Sequence, residues 1–282
     1  MRLHLHDKSQ AEGRAEGTVG SKRRIRAFVD AYDIDMGDFE PSDMDQYQTF
    51  EAFFARRHRA GSRPIAEQSS GGRAVVVADS RLVVYGSLAE AKAVWIKGHD
   101  FSIASLVMDV ALGDRFACAA VASFRLSPQD CHRYHSPVRG RVRLFRSLPG
   151  DYSQVDLAAL QSEVDVLTRN RRELVLIDTE DFGDVLFVAI GATNVGSVQI
   201  HEPWRRPGGW IDKGEELGLF QFGASSSIML AFEPGRITFD DDLLDLSKQK
   251  IQTFVEAGMS LGDATAPGEE QVSLEQDICE RE

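Results

Sequence analysis

Two runs of mostly apolar and β-branched residues, Glu173 to Asp178 and Asp184 to Gly191, flank the segment Thr179-Glu180-Asp181-Phe182-Gly183. Each run is short for a helix and long enough for a strand, and the residues between them carry turn chemistry, so the pair reads as an antiparallel hairpin. Further strands are expected over Val75 to Tyr85, the continuous apolar run Phe116 to Phe124, the alternating run Gly140 to Phe145, and Val195 to Ile200. Helical spacing is confined to shorter pieces. Ile25, Phe28, Val29 and Tyr32 form one face, and Tyr47, Phe50, Phe53 and Phe54 a second. A short helix is expected at about Leu88 to Val94, and another amphipathic one reaches Met108. Near the C-terminus, Asp240-Asp241-Asp242 leads a helix with Leu243, Leu244, Ser247, Ile251 and Phe254 on one side, its acids suited to the helix dipole. The expected fold class is therefore α+β, a mostly antiparallel β core with N-terminal helices and a C-terminal helix.

A chain of 282 residues can bury a large core. Residues 1–20 are polar and Gly-rich and read as a flexible tail, residues 21–261 as a single domain, and residues 262–282 as a disordered acidic tail. The net charge of −12 leaves no basic surplus to neutralise phosphates, which excludes nucleic acid as the expected partner. Cys118, Cys131 and Cys279 form no paired framework. With no signal peptide and no run of roughly 20 apolar residues, the expectation is an intracellular protein, soluble or peripherally membrane-associated, for which a homodimer is an allowed assembly.

The residues that carry chemistry are few. Gly223-Ala224-Ser225-Ser226-Ser227 breaks two apolar runs with small residues, either a bulged strand or a backbone shaped to expose a hydroxyl nucleophile. Asp79 sits inside a strongly apolar stretch, where a carboxylate is costly unless partnered; a pair with Arg81, a bulge, or an orienting role beside a histidine all fit. His132 and His135 lie three apart between Pro128 and Pro137. They lack an obvious third ligand for zinc, so no metal is expected, and imidazoles with separate acid–base duties fit better. The cluster Lys22-Arg23-Arg24 reads as a solvated face or a contact for anionic lipid, and the aromatic stripe around Phe53 as core or as a lipid-facing patch.

Together these motifs resemble the phosphatidylserine decarboxylases, over roughly Ile25 to Gly262. The resemblance is carried by Phe53-Phe54-x-Arg56 with Arg63-Pro64-Ile65, Ala78-Asp79-Ser80-Arg81 and Trp95-Ile96-Lys97-Gly98. It continues in Phe124-Arg125-Leu126-x-Pro128-x-Asp130-x-His132-Arg133-x-His135-Ser136-Pro137, in Val188 to Ser197, and in Lys213-Gly214-Glu215-Glu216-Leu217-Gly218 through Phe222-Gly223-Ala224-Ser225-Ser226.

The resemblance implies a proenzyme in which Asp79, His135 and a serine act as a protease-like triad for self-cleavage, with His132 assisting the later decarboxylation. It implies cleavage between Ala224 and Ser225, giving a β chain to residue 224, an α chain from residue 225, and a pyruvoyl cofactor formed from Ser225. Ser226 is held in reserve, because counting back from Phe232 favours it. The implied substrate is phosphatidylserine in a membrane, converted to phosphatidylethanolamine and CO2. The alternatives are decarboxylation of a soluble aromatic amino acid, or an unprocessed lipid-binding relative. The chemistry is coherent: serine needs a base, and a carbanion left by decarboxylation needs an electron sink that a ketone provides. Two departures stand out. Alanine precedes the cut where the family usually has glycine, which predicts slower processing. Asp151-Tyr152-Ser153-Gln154-Val155-Asp156-Leu157 replaces a Tyr-x-Val-Asn-Pro pattern.

Overall fold

The computed structural model describes residues 15–67, 72–94, 101–151, 166–192, 198–221 and 226–265. In chain order the strands are β1 (Phe39–Glu40), β2 (Arg57–His58), β3 (Arg73–Val75), β4 (Ser80–Tyr85), β5 (Ala120–Leu126), β6 (Arg133–His135), β7 (Gly140–Leu148) and β8 (Arg172–Thr179). They continue as β9 (Gly183–Ile190), β10 (Val198–Ile200), β11 (Trp210–Ile211), β12 (Glu216–Phe220), β13 (Ser226–Phe232), β14 (Ile237–Phe239), β15 (Thr253–Val255) and β16 (Ser260–Ala264).

The hairpin that constrained the sequence forms as expected, with Thr179 opposite Gly183 and Arg172 opposite Ile190. It is extended into an antiparallel sheet of spatial order β11-β7-β8-β9-β13-β5-β4-β15. Two smaller sheets flank it, β10-β12-β6 and β14-β16-β3, and β1 pairs with β2. This is the expected α+β architecture. Strand β13 lies between β9 and β5, bonded to both, and every one of its seven residues is buried. Burying Ile228, Leu230 and Phe232 there is worth about 1.5–3 kcal/mol each, which makes β13 a main anchor of the fold.

Several boundaries shift for identifiable reasons. The run Val75 to Tyr85 is two strands, because the chain leaves β3 and re-enters the large sheet as β4 only at Ser80, with Asp79 in the break. The run from Phe116 becomes a strand only at Ala120; Val110–Arg115 is a helix capped by Asp109 Oδ1 on Leu112 N. The C-terminal helix spans Asp241–Lys248, and Phe254 belongs instead to β15. Strand β16 continues to Ala264, inside the stretch read as tail. Cys131 is a buried free thiol, whereas Cys118 is disulfide-bonded, contrary to the expectation of a chain without cysteine pairing.

The N-terminal helices make a second core. Arg24–Tyr32 and Phe50–Phe54 pack Ile25, Val29, Tyr47, Phe50, Phe53 and Phe54 against one another. The aromatic stripe is thus interior, not a lipid-facing patch. No helix among the described residues is long and apolar enough to cross a membrane.

Candidate active site

Sheet topology brings Ser226, Asp79 and the start of the segment leading to His132 to one end of β5 and β13. Ser226, the first residue of β13, stands opposite Leu126, the last residue of β5. From Leu126 the chain turns through Ser127, whose amide donates to Asp130 Oδ2 at 2.7 Å, and delivers His132 and then β6. Strand β6 pairs with β12, and Phe220 N donates to His132 O at 2.9 Å, so the strand leading toward the Ser cluster is tied to the histidine segment. Ala224 and Ser225 lie outside the described residues. Ser226 is fully buried and its Oγ has no hydrogen-bond partner among the described residues.

His132 is also fully buried. Its Nδ1 lies 2.9 Å from Asp130 O, a group that can only accept, so Nδ1 carries the proton and Nε2 is left as a bare lone pair. That Nε2 has no partner among the described residues. Burial, partly offset by the bond to Asp130 O and reinforced by Arg56, pushes the imidazole down to about 3, so the ring is neutral at any physiological pH. The motif Phe53-Phe54-x-Arg56 positions this loop: Phe54 lies against the His132 ring, Arg56 donates to Gln129 O, and Cys131 Sγ lies 3.5 Å from Arg56 O. Arg56 is itself buried between the Phe39 and Phe53 rings, at 4.3 and 4.8 Å.

His135 ends β6, with both its amide N (2.9 Å) and its Nδ1 (3.2 Å) on Val77 O. The same reasoning puts the proton on Nδ1 and the basic lone pair on Nε2. Burial lowers its pKa, opposed by the Val77 bond and by Glu216. Asp130 moves the other way: burial, with the nearby Asp79 charge adding to it, pushes its carboxyl up to about 6.

Asp79 is buried, and its partner is not Arg81. Arg63 donates through Nε (3.0 Å to Oδ1) and Nη2 (2.9 Å to Oδ2), and Ala257 N donates to Oδ1 at 2.9 Å. His58 Nε2 comes within 3.2 Å of Oδ2. Burial would raise this carboxyl, but His58, Arg63 and the Ala257 amide outweigh it and hold it well below the usual carboxylate range. Among the described residues no hydrogen bond joins Asp79 to His135; the tautomer of His135 is fixed by a backbone carbonyl.

Two participants were not picked out from the sequence. His58 sits in the run Arg56-Arg57-His58-Arg59, which carries no local sign of burial; only the β1–β2 pairing, which sets it opposite Phe39, turns it inward. Glu216, opposite His135 in register, accepts from His201 Nε2 at 2.6 Å and pairs with Arg133. Burial raises its carboxyl, but His201 and Arg133 prevail and bring it down to about 2. No metal-binding cluster occurs among the described residues. The basic segment lines a separate cleft of about 570 Å³ formed in part by Lys22, Arg23 and Arg26.

The sequence profile of the phosphatidylserine decarboxylases matches residues 50–263. The chain is 37% identical over 263 residues to phosphatidylserine decarboxylase proenzyme 2 of Oryza sativa subsp. japonica, covering 93% of this chain and 42% of the relative. It is 38% identical over 245 residues to proenzyme 2 of Komagataella phaffii, covering 86% of this chain and 24% of that protein. Against the phosphatidylserine decarboxylase proenzyme of Chlamydia trachomatis it is 36% identical over 238 residues, 84% of this chain and 77% of the relative. The chain thus spans less than half the length of the rice and Komagataella proteins and most of the chlamydial one.

Proposed function

Because this chain belongs to the phosphatidylserine decarboxylase family, we propose that it is a proenzyme that cuts itself at the Ser225–Ser226 pair and then converts phosphatidylserine to phosphatidylethanolamine and CO2. The observation that carries the reading is Ser226 Oγ, buried without a partner among the described residues at the head of the central strand, on the sheet end where the His132 segment departs. Leaving such a hydroxyl unpaired costs about 1–3 kcal/mol, a cost retained where the group is used. Forward counting of the motif favours Ser225, and the unpartnered hydroxyl favours Ser226; the two differ by one residue in the product.

In the cleavage, serine Oγ attacks the carbonyl carbon of the preceding residue and the peptide nitrogen departs, leaving an ester. Elimination breaks the Cβ–O bond, which frees a carboxylate on the upstream β chain. The dehydroalanine left at the downstream end would tautomerise to an imine, and one water would hydrolyse it, its oxygen becoming the ketone of the pyruvoyl group on the α chain while ammonia leaves. His135 serves as base through Nε2, since Nδ1 is held by Val77 O, and Asp79 supplies negative charge on the same side. The pyruvoyl ketone supplies the electron sink for decarboxylation. The residues present suit such a group: a buried serine at a strand start, and a bare His132 Nε2 in a dry setting. His132, held neutral, accepts a proton at Nε2 or orients the substrate there.

The products of the cut stay together. Strand β13 would become the leading strand of the α chain while remaining bonded to β5 and β9 of the β chain. The membrane-facing part is assigned to the basic cleft rather than to the aromatic stripe, whose rings are interior.

The test is turnover of liposomes containing phosphatidylserine compared with free serine and free aromatic amino acids. Phosphatidylethanolamine and CO2 from the liposomes support the proposal; CO2 from a free amino acid alone overturns the choice of substrate.

A further inference from the structure

His58 belongs to no motif invoked above, yet it is the buried group that crowds Asp79. Its side chain is 10% exposed, its Nε2 stands 3.2 Å from Asp79 Oδ2, and its ring stacks on Phe39 at 4.9 Å and 22°. The 3.2 Å approach is a charge contact outside hydrogen-bond alignment, so both ring nitrogens are buried without a hydrogen-bond partner among the described residues.

A carboxylate offers about four lone-pair positions. Those of Asp79 face Arg63 Nε, Arg63 Nη2, the Ala257 amide and His58. An orienting bond from Asp79 to His135, as the triad reading requires, needs one of these to let go and needs His135 Nδ1–H to turn from Val77 O, where it makes a long 3.2 Å bond, to the freed carboxylate oxygen. Arg63 cannot lose its charge, and it is braced further by Asp38 at 3.0 Å. The Ala257 amide is fixed backbone. His58 is the partner with the poorest geometry and the only side chain of the set that can be discharged.

We propose that His58 is a positioning residue that restrains self-cleavage: by holding Asp79 Oδ2 it keeps the carboxylate from His135, and loss of its proton releases the carboxylate to orient the base.

The titratable and charged surroundings are consistent with such a device. Burial lowers His58, but Asp79 and the Cys131 thiol together outweigh it and bring the imidazole up to about 9. The guanidinium of Arg56 lies across the Phe39 ring, and His135 feels both the His58 and the Asp79 charge. His58 is therefore protonated at neutral pH, and its hold on Asp79 weakens as pH rises toward 9.

This inference rests on the reading that the chain cuts itself at the Ser pair. The experiment is a time course of self-cleavage of the freshly made full chain from pH 6 to 10, for wild type and His58→Leu. Wild type is expected to speed up through about pH 9. H58L is expected to cut about threefold or more faster at pH 7 and to lack that rise. A wild-type chain that never cuts at any pH defeats the underlying reading. A wild type that cuts, with H58L equal to it or slower across the same profile, overturns this inference alone. Should H58L fail to fold, ring-nitrogen NMR of the Ser225→Ala/Ser226→Ala chain decides. His135 resonances that shift as His58 titrates near pH 9 support the proposal. His135 resonances blind to His58, or a His58 that titrates near its ordinary 6.5, contradict it.

Discussion

The ring of Phe54 lies 3.9 Å, centroid to centroid, from the ring of His132. One aromatic from the N-terminal helical core thereby sets the plane of a histidine whose Nδ1 is already fixed on Asp130 O. His132 faces Phe220 of the large core at 6.4 Å on a T-shaped approach, so it stands between the two cores and the helical region is part of the site's scaffold.

Removing that support should be felt in two ways. Phe54→Ala empties a fully buried position and is expected to cost about 3–5 kcal/mol of stability, read by denaturant melting. In enzyme that remains folded, kcat should fall more than KM rises, because the lost contact orients a ring without reaching the lipid.

His132 itself is expected to act without changing charge. With its imidazole pushed down to about 3, the pH profile of decarboxylation should show no inflection between pH 5 and 8 that disappears in His132→Gln. H132Q should still cut itself while losing about 100-fold or more in decarboxylation. An H132Q chain that fails to cut, with native stability, would move His132 into the cleavage step.

The chemistry-bearing residues were legible because they come as short motifs; of these, Ser226 heads β13 opposite the end of β5, Asp79 immediately precedes β4 at the same end, and His135 is tied to Val77, while Ser225 lies outside the described residues. What the local pattern could not supply was partnership. Nothing near Asp79 in sequence indicates that Arg63, 16 residues upstream, and His58 before it will crowd its oxygens. Equally, Val77 O and Asp130 O as the groups fixing both histidine tautomers are backbone facts with no side-chain signature. The aromatic stripe had two readings that only the packing of Phe28, Phe50 and Phe53 could separate. Residues such as Trp95, Ala224 and Ser225 remain outside the described residues.

Stability should report the Asp79 pair from both sides of neutrality. Asp79 is depressed in the folded state, so its contribution is complete above the unfolded carboxyl pKa and is lost as pH falls below about 4. His58 is raised to about 9, so its contribution is complete below about 6.5 and is lost as pH climbs through 9. Thermal melts of the trapped Ser225→Ala/Ser226→Ala chain should decline at both ends. Adding Asp79→Asn should flatten both declines; an unchanged alkaline limb would mean His58 draws its charge from elsewhere.

Fragment association follows from the strand order. After cutting, the two fragments should co-elute in native size-exclusion chromatography and separate only in denaturant, since β13 is clasped by β5 and β9. An α fragment released under native conditions would show that β13 is not the central strand after processing.

The most direct test is denaturing electrophoresis of the purified chain with intact-mass measurement of the small fragment before and after borohydride reduction. The account predicts two fragments, the smaller of 58 residues if the cut precedes Ser225 or 57 if it precedes Ser226, carrying a reducible carbonyl at its N-terminus. A single intact 282-residue chain with no reducible carbonyl would contradict it.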